Sequence, residues 1–229
     1  MAVSLALPDS NGIKYRKVLN DLDSNVINLF RVLRDSNREF KRRVLLTPYS
    51  REEFENAYDI LNSQDKSYKE DSIEWARLYL VCNRQSIFGK EAKSWCVSRV
   101  GENICATWET LGKLISELRR KLRNCYIDNL DYKDFFPRWD LDTACHYIDP
   151  PYEGVETKYY AVNKLQTFSH EDLCNTVLAL KGKAVVSYYD SDNIRYMYRG
   201  CRFETKQVKM SMTTTTKQDV SELLVIKDW

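Results

Sequence analysis

The residues best suited to chemistry stand together as Asp149-Pro150-Pro151-Tyr152, directly after a predicted strand at residues 146–148. Proline makes up about 5% of an average protein, so a Pro-Pro pair arises by chance at about one position in 400. An acidic residue before the pair and an aromatic residue after it make a chance occurrence of the whole motif much rarer. The same turn could serve only to end a strand, with Tyr152 as a packing aromatic, but the combination favours a chemical role.

Such a turn suits the methylation of an exocyclic amine. The amine of adenine is a poor nucleophile because its lone pair is delocalised into the ring. Two hydrogen-bond acceptors on its two protons would draw the nitrogen toward a tetrahedral shape, and the Asp149 carboxylate and the Pro150 carbonyl could supply them. Prolines lack an N–H, so the loop offers acceptors without competing donors, and Tyr152 offers a face on which an extruded base can stack.

Cysteine and histidine usage argues against a metal centre. The seven cysteines are scattered, with no CxxC pair, and the chain has only two histidines, so a zinc cluster is not expected. A sulfonium methyl donor needs no metal, which agrees with methyl transfer. The scattered thiols, the lack of a secretion signal and the lack of an apolar run near the roughly 20 residues of a membrane span predict a cytoplasmic protein.

The elements that must position the turn alternate between strand and helix. A predicted strand at residues 14–19 ends in Asn20-Asp21, and a helix over residues 26–33 follows, capped by Asp23 or Ser24. After residue 124, predicted strands lie at residues 125–127, 146–148, 184–188, 203–212 and 223–226, with helices that begin after Ser169 and after Asp190 or Ser191. This order predicts an α/β sheet with an antiparallel edge.

The middle of the chain is predicted to be helical. Ser50 and Glu53 form a capping-box pattern, a further helix begins at Asp71 or Ser72, and residues 108–122 have the spacing of one long amphipathic helix. Residues 82–106 are less regular and predict a loop with a short hairpin. The net charge of +2 argues only weakly for a polyanionic partner. Two basic clusters favour solvated helix ends: Lys41, Arg42 and Arg43, and then Arg119, Arg120, Lys121 and Arg123.

With these features in place, nearly the whole chain resembles the Dam-like family of DNA adenine-N6 methyltransferases. Residues 147–152 look like the catalytic motif of that family, which implies that Asp149, Pro150, Pro151 and Tyr152 act on the base. The resemblance also implies S-adenosylmethionine as the methyl donor. Asp21, in a segment similar to the "ND-N--LIN" stretch of the family, would bind its ribose hydroxyls. Asp131 and Tyr132 resemble the Asp-Phe motif beside the cofactor adenine, with tyrosine in place of phenylalanine.

Residues 83–89 resemble the "NR---NG" loop with which the family contacts double-stranded DNA. The resemblance implies Arg84, Phe88 and Lys90 as DNA-binding residues, although Phe88 replaces the usual asparagine. Phe168 and His170 resemble an "F--H" stretch that follows the catalytic motif. His170 could be taken for a general base, but a role at the start of a helix is the expected one.

The resemblance also predicts an N-terminal truncation. The family opens with a Gly-Gly-Lys segment and a strand ending in a Phe-x-Gly-x-Gly loop that cradles the methionine part of the cofactor, and this sequence shows neither. Residues 1–7 look like the helix that should follow that loop. Three explanations stay open: a fragment of a longer reading frame, a chain completed by another subunit or a homodimer, or a sheet that closes differently and binds cofactor poorly.

The expected fold is therefore a Rossmann-like, S-adenosylmethionine-dependent methyltransferase sheet that lacks its first strand. Residues 1–35 and 125–229 would form the catalytic domain, and residues 36–124 a helical target-recognition region. The expected function is site-specific adenine-N6 methylation of a flipped base. The enzyme could act alone or as part of a restriction-modification system. The alternatives are a non-catalytic DNA-binding remnant and, more weakly supported, an RNA or protein methyltransferase.

Overall fold

The computed structural model of the chain describes residues 15–63, 67–87, 93–97, 103–153, 168–209 and 219–228. The described residues divide into two compact units. The helical unit holds the described residues from 15 to 131, and the sheet unit holds those from 132 to 228. The predicted helix at residues 1–7 lies outside the described residues.

The helical unit surrounds one short pair of strands with helices. Its described elements are β1 (Lys17–Asn20), α1 (Ser24–Asp35), α2 (Asn37–Leu46), α3 (Arg51–Asn62), a 3-10 helix (Ser67–Glu70), α4 (Ser72–Gln85), α5 (Ile104–Glu109), α6 (Leu111–Leu122) and β2 (Cys125–Asp128). β1 and β2 pair in parallel, with Lys17 opposite Cys125 and Asn20 opposite Asp128. The carboxyl ends of both strands therefore lie at the same edge.

Side-chain caps begin three of these helices where the sequence predicts them. Asp23 accepts a hydrogen bond from the amide of Asn25 at the start of α1, and Asp71 accepts from two amides of the first turn of α4. Ser50 accepts from the amide of Glu53 at 3.2 Å, which confirms that half of the predicted capping box. The Glu53 carboxylate forms an ion pair with Arg77.

Two expectations for the middle of the chain are wrong. α4 continues through Gln85, so residues 82–85 are helical and not loop, because Cys82 and Gln85 extend the buried stripe of Leu78 and Val81. Beyond α4, Ser86 pairs antiparallel with Trp95, which agrees with the predicted hairpin.

The predicted helix over residues 108–122 is in fact two helices. Trp108 belongs to α5, and α6 begins at Leu111 after a turn at Thr110, whose hydroxyl bonds the Thr107 carbonyl. Near this break, the Leu45 and Lys41 side chains of α2 would each lie 3.3 Å from a Cβ at Gly112, so a larger residue there would require these side chains to shift slightly.

The sheet unit is a four-stranded mixed sheet with helices. Its described elements are α7 (Tyr132–Trp139), β3 (Cys145–Ile148), α8 (His170–Ala179), β4 (Lys183–Tyr189), α9 (Asp192–Met197), β5 (Arg202–Lys209) and β6 (Asp219–Lys227). The strand order is β3-β4-β6-β5, with β3 parallel to β4 and β6 antiparallel to both of its neighbours. This arrangement confirms the α/β class and the antiparallel edge.

A buried core holds β4 in place. Ala184, Val186 and Tyr188 alternate along one face of β4 and are almost fully buried, with Leu173 and Val177 of α8 in the same core cluster. The strand is therefore a rigid neighbour for β3 and for the turn that follows β3.

The opposite end of β4 is closed by a buried lysine and a glycine. Lys227 is 2% exposed, and its Nζ donates to the carbonyl oxygens of Leu180 at 2.8 Å and Gly182 at 3.2 Å. A Cβ at Gly182 would lie 2.7 Å from the carbonyl oxygen of Ala144, so only glycine fits there. These contacts tie β6 to the α8–β4 loop, and the glycine lets that loop approach the segment before β3.

No helix in the described part of the chain is long and apolar enough to cross a membrane.

Candidate active site

The turn 149–152 leaves the carboxyl end of β3 beside β4. Asp149 is exposed, Pro150 is buried and Tyr152 is half-buried. Ile148 pairs with Val186, so Asp149 comes level with Ser187, whose Oγ lies 2.9 Å from Asp149 Oδ1. The structure thus presents an exposed carboxylate at the carboxyl end of β3, which is where the sequence predicts the reacting group.

Tyr152 packs against two tyrosines of β4. Its ring centroid lies 4.5 Å from that of Tyr189 in an edge-to-face arrangement and 6.2 Å from that of Tyr188. Burial raises the pKa of Tyr152 to about 12, so its phenol stays protonated at neutral pH. The ring is therefore fixed from one side by the sheet.

An aromatic row in the sheet unit connects Tyr132 with Tyr152. The centroid distances are 6.2 Å from Tyr132 to Phe168, 5.0 Å from Phe168 to His170 and 5.6 Å from His170 to Tyr188, which in turn contacts Tyr152. The structure therefore brings together residues from three sequence motifs that lie up to 38 positions from one another.

His170 takes part in this row at the start of a helix. It is the first residue of α8, directly after the cap residue Ser169, and its Nδ1 lies 3.1 Å from the hydroxyl of Tyr188. His170 therefore lies at the start of a helix, as the sequence predicts.

Two asparagines join the loops that carry Asp21 and Asp131 in the helical unit. The Asn20 side chain exchanges two hydrogen bonds of 2.9 Å with the backbone of Leu130. Asn129 Nδ2 donates to the carbonyl oxygen of Asp21 at 2.8 Å. We call these contacts of Asn20 and Asn129 the asparagine clamp.

The asparagine clamp places both predicted cofactor carboxylates at the carboxyl edge of the β1–β2 pair. Asp21 follows β1 directly, and its Oδ1 accepts a hydrogen bond from the amide of Asp23 at 2.8 Å. Asp131 lies three residues beyond β2 and is partly exposed. Carboxylate acceptors at strand ends fit ribose hydroxyls, so the chemistry of these groups suits the nucleoside half of a cofactor.

Sequence reasoning missed the supporting residues of both loops. Ser187 carries the only aliphatic hydroxyl in β4, and Asn129 is a lone amide between β2 and Asp131. Ser187 meets Asp149, and Asn129 meets Asp21, only because the strands that carry or precede them pair with each other. Glu153, just after the turn, is likewise engaged, since it accepts a hydrogen bond from Ser191 Oγ at 3.0 Å.

The structure describes one of the three predicted DNA-binding residues. Arg84 is exposed in the last turn of α4, while Phe88 and Lys90 lie outside the described residues. Lys93, a few residues beyond Lys90, forms an ion pair with Asp59, with 2.6 Å between Nζ and Oδ1. Among the described residues, no group of three or more His, Cys, Asp or Glu side chains could hold a metal ion.

Comparison with protein families identifies the chain. The family model of the D12 class N6 adenine-specific DNA methyltransferases matches residues 1–214, and none of the curated proteins compared with the chain matches it. The family match spans almost the whole chain and confirms the resemblance to Dam-like enzymes. The chain therefore belongs to the D12 class of N6 adenine-specific DNA methyltransferases, enzymes that methylate adenine in DNA.

Proposed function

We propose that this methyltransferase transfers the methyl group of S-adenosylmethionine to the N6 amine of an adenine flipped out of a specific duplex sequence. The observation that carries the proposal is the exposed Asp149 carboxylate, held by Ser187 at the end of β3 and followed by the buried Pro150. Such a carboxylate can meet a base that has left the helical stack.

The chain supplies positioning and proton handling. The Asp149 carboxylate accepts a hydrogen bond from the amine, and the Pro150 carbonyl accepts the second. Both bonds raise the nucleophilicity of the nitrogen, and Asp149 is placed to receive the proton that the amine loses. Pro151 stiffens the turn, and Tyr152, fixed by Tyr189, stacks on the base. When bound, S-adenosylmethionine supplies an electrophilic methyl group on a sulfonium.

Cofactor binding in this proposal falls to Asp21, Asp131 and Tyr132. The Asp21 carboxylate accepts hydrogen bonds from the ribose hydroxyls, and Asp131 and Tyr132 contact the adenine. The asparagine clamp supports this assignment because it holds the Asp21 and Asp131 loops together at one edge.

Duplex DNA is the proposed partner in this reaction. Residues 36–124 serve as its target-recognition region, with Arg84, Phe88 and Lys90 as contacts, and residues 1–35 and 125–229 serve as the catalytic domain. The seven cysteines are all free thiols, which supports a cytoplasmic enzyme.

Replacement of Asp149 tests the catalytic assignment. We expect Asp149→Asn to lower the methylation rate of unmethylated duplex DNA by at least about 100-fold, because the amide cannot accept the proton. Duplex binding should be retained, and Asp142→Asn, at an exposed turn, serves as the control with normal activity. A variant at position 149 as active as the unmodified protein would rule out the assignment.

Calorimetric titration with S-adenosylmethionine tests cofactor binding. Saturable binding by the folded chain is the expected result, and binding that rises with protein concentration would indicate a homodimer or a completing subunit. A folded chain without binding or methylation would favour the DNA-binding remnant. Competition among duplex DNA, RNA and glutamine peptides as methyl acceptors separates the proposed substrate from the others.

A further inference from the structure

Ser187 is a buried hydroxyl in the otherwise apolar and aromatic stretch 184–189 of β4. The residue is 6% exposed, and its neighbours Val186 and Tyr188 belong to the core. Three polar groups surround its oxygen: Asp149 Oδ1 at 2.9 Å, the Ile148 carbonyl oxygen at 3.4 Å, and the phenol of Tyr152. A buried hydroxyl with two partners in the turn 149–152 and one at the end of β3 indicates a role in that turn.

The geometry decides where the hydroxyl proton points. A serine hydroxyl donates one hydrogen bond, and the charged carboxylate at 2.9 Å is a stronger and closer acceptor than the carbonyl at 3.4 Å. The Ser187 oxygen keeps lone pairs that can accept from the Tyr152 hydroxyl. The Ser187 hydroxyl therefore donates to Asp149, and the phenol of Tyr152 is a further hydrogen-bonding neighbour of the same oxygen.

We propose that Ser187 is a positioning residue that fixes the plane of the Asp149 carboxylate and couples it to the ring of Tyr152. An exposed carboxylate otherwise rotates freely about its terminal bond. A hydrogen bond to Oδ1 holds that oxygen against the sheet and leaves Oδ2 for the target amine. The same hydroxyl sets the distance between the acceptor and the stacking ring. This role rests on the proposed function of Asp149.

Three variants of Ser187 separate positioning from simple core packing. Ser187→Ala removes the hydroxyl, and Ser187→Thr keeps it on a side chain that suits a strand. We expect the alanine variant to lower kcat by about 10- to 100-fold with little change in the KM for S-adenosylmethionine, since small misplacements of a reacting group have costs of this order. The threonine variant should recover most of the rate, and Ser187→Cys, a weak donor, should fall between them.

A matched control and a second readout keep the test decisive. Ser221→Ala, on β6 of the same sheet, should leave kcat unchanged. The ¹³C chemical shift of the Asp149 carboxyl carbon should move in Ser187→Ala and return in Ser187→Thr, whether or not the preparation is active.

The outcomes distinguish this inference from the proposed function. An active protein whose Ser187→Ala variant keeps full kcat, or a carboxyl resonance that does not respond to the variants, would overturn the role of Ser187. A carboxyl resonance that responds in a protein without adenine methylation would support the contact with Asp149 and would count against the proposed function instead.

Discussion

Two ionisable side chains, the nearly buried Asp140 and the buried His146, lie just before and within β3. The Asp140 carboxylate accepts hydrogen bonds from the amides of Lys181 at 2.8 Å and Gly182 at 2.9 Å, and lies 3.4 Å from His146 Nε2. Burial opposes the charge on Asp140, yet the two amides and the histidine outweigh it and lower the pKa of this carboxyl. The network links the start of β3 to the start of β4, and so supports the strand that carries Asp149.

His146 makes the stability of the sheet unit sensitive to acid. Burial lowers the pKa of His146 below its ordinary value of 6.5, against the opposing effect of Asp140, while Lys227 also lowers it. Below about pH 6.5 the unfolded chain therefore binds a proton that the folded chain resists, and the free energy of unfolding falls. The lowered pKa of Asp140 acts in the same direction at still lower pH.

We expect the free energy of unfolding to decrease from about pH 7.5 to about pH 5.5, in the range where an ordinary histidine takes up its proton. Denaturant unfolding at several pH values measures this. His146→Gln should flatten the dependence in that window even if it lowers the absolute stability. Equal slopes for both proteins would show that His146 does not control the response.

Loops at the carboxyl ends of β1 and β2 are held by side chains rather than by further strand pairing. Asn20 satisfies both backbone groups of Leu130, and Asn129 binds the carbonyl groups of Asp21 and Leu22. Each asparagine reaches across to the other loop, so the two loops are fixed as a pair.

Removal of one half of the asparagine clamp should weaken cofactor binding. Asn129→Ala frees the carbonyl of Asp21, and we expect the Kd for S-adenosylmethionine to rise by about 5- to 10-fold, the equivalent of about one net hydrogen bond. Calorimetric titration measures this, and Asn124→Ala, exposed in the turn before β2, is the control. An unchanged Kd in Asn129→Ala would separate the asparagine clamp from the cofactor site.

A nearly buried ion-pair network joins α3 and α4. The Arg77 side chain is 13% exposed and binds Glu53 and Glu74, and its guanidinium also donates to Thr47 Oγ1 at 3.1 Å. Loss of the guanidinium would leave the poorly hydrated carboxylate of Glu53 without this partner and would leave Glu74 with only the 3.4 Å contact to Arg43.

Arg77→Met should therefore lower the free energy of unfolding by about 2 kcal/mol or more. Lys93→Met breaks the pair with Asp59, in which the two side chains are 45% and 62% exposed, and should lower the free energy of unfolding far less. Urea unfolding of both variants makes the comparison. Similar losses of unfolding free energy in the two variants would contradict the inference that burial makes the Arg77 network the more stabilising one.

Over the whole molecule, the two basic clusters of the sequence have different environments. Arg42 and Arg43 of α2 form ion pairs with Glu39, and Arg43 also pairs with Asp71. The second cluster lies in and just after the last turn of α6, where Arg119, Arg120, Lys121 and Arg123 are all exposed. The prediction of a solvated helix end is confirmed for the second cluster, whereas carboxylates neutralise much of the first.

Local features were predictable because their causes lie within a few residues. A cap such as Ser50 or Asp71 bonds an amide two or three positions away, and the strand before Asp149 shows in its own composition. The segment after Cys82 was misjudged because its polar residues suggested a loop, while the buried side of α4 kept it helical.

The amino-acid sequence alone predicted the candidate reacting turn, the strand that leads into it and the family to which the chain belongs, since all three predictions depend on residue type and short spacing. Only the tertiary structure decided which side chains support that turn. Ser187 is 38 positions from Asp149, and Asn20 is 110 positions from Leu130. Such partners meet because the packing of the core sets the register of β3 on β4 and of β1 on β2, and register is a property of the folded sheet.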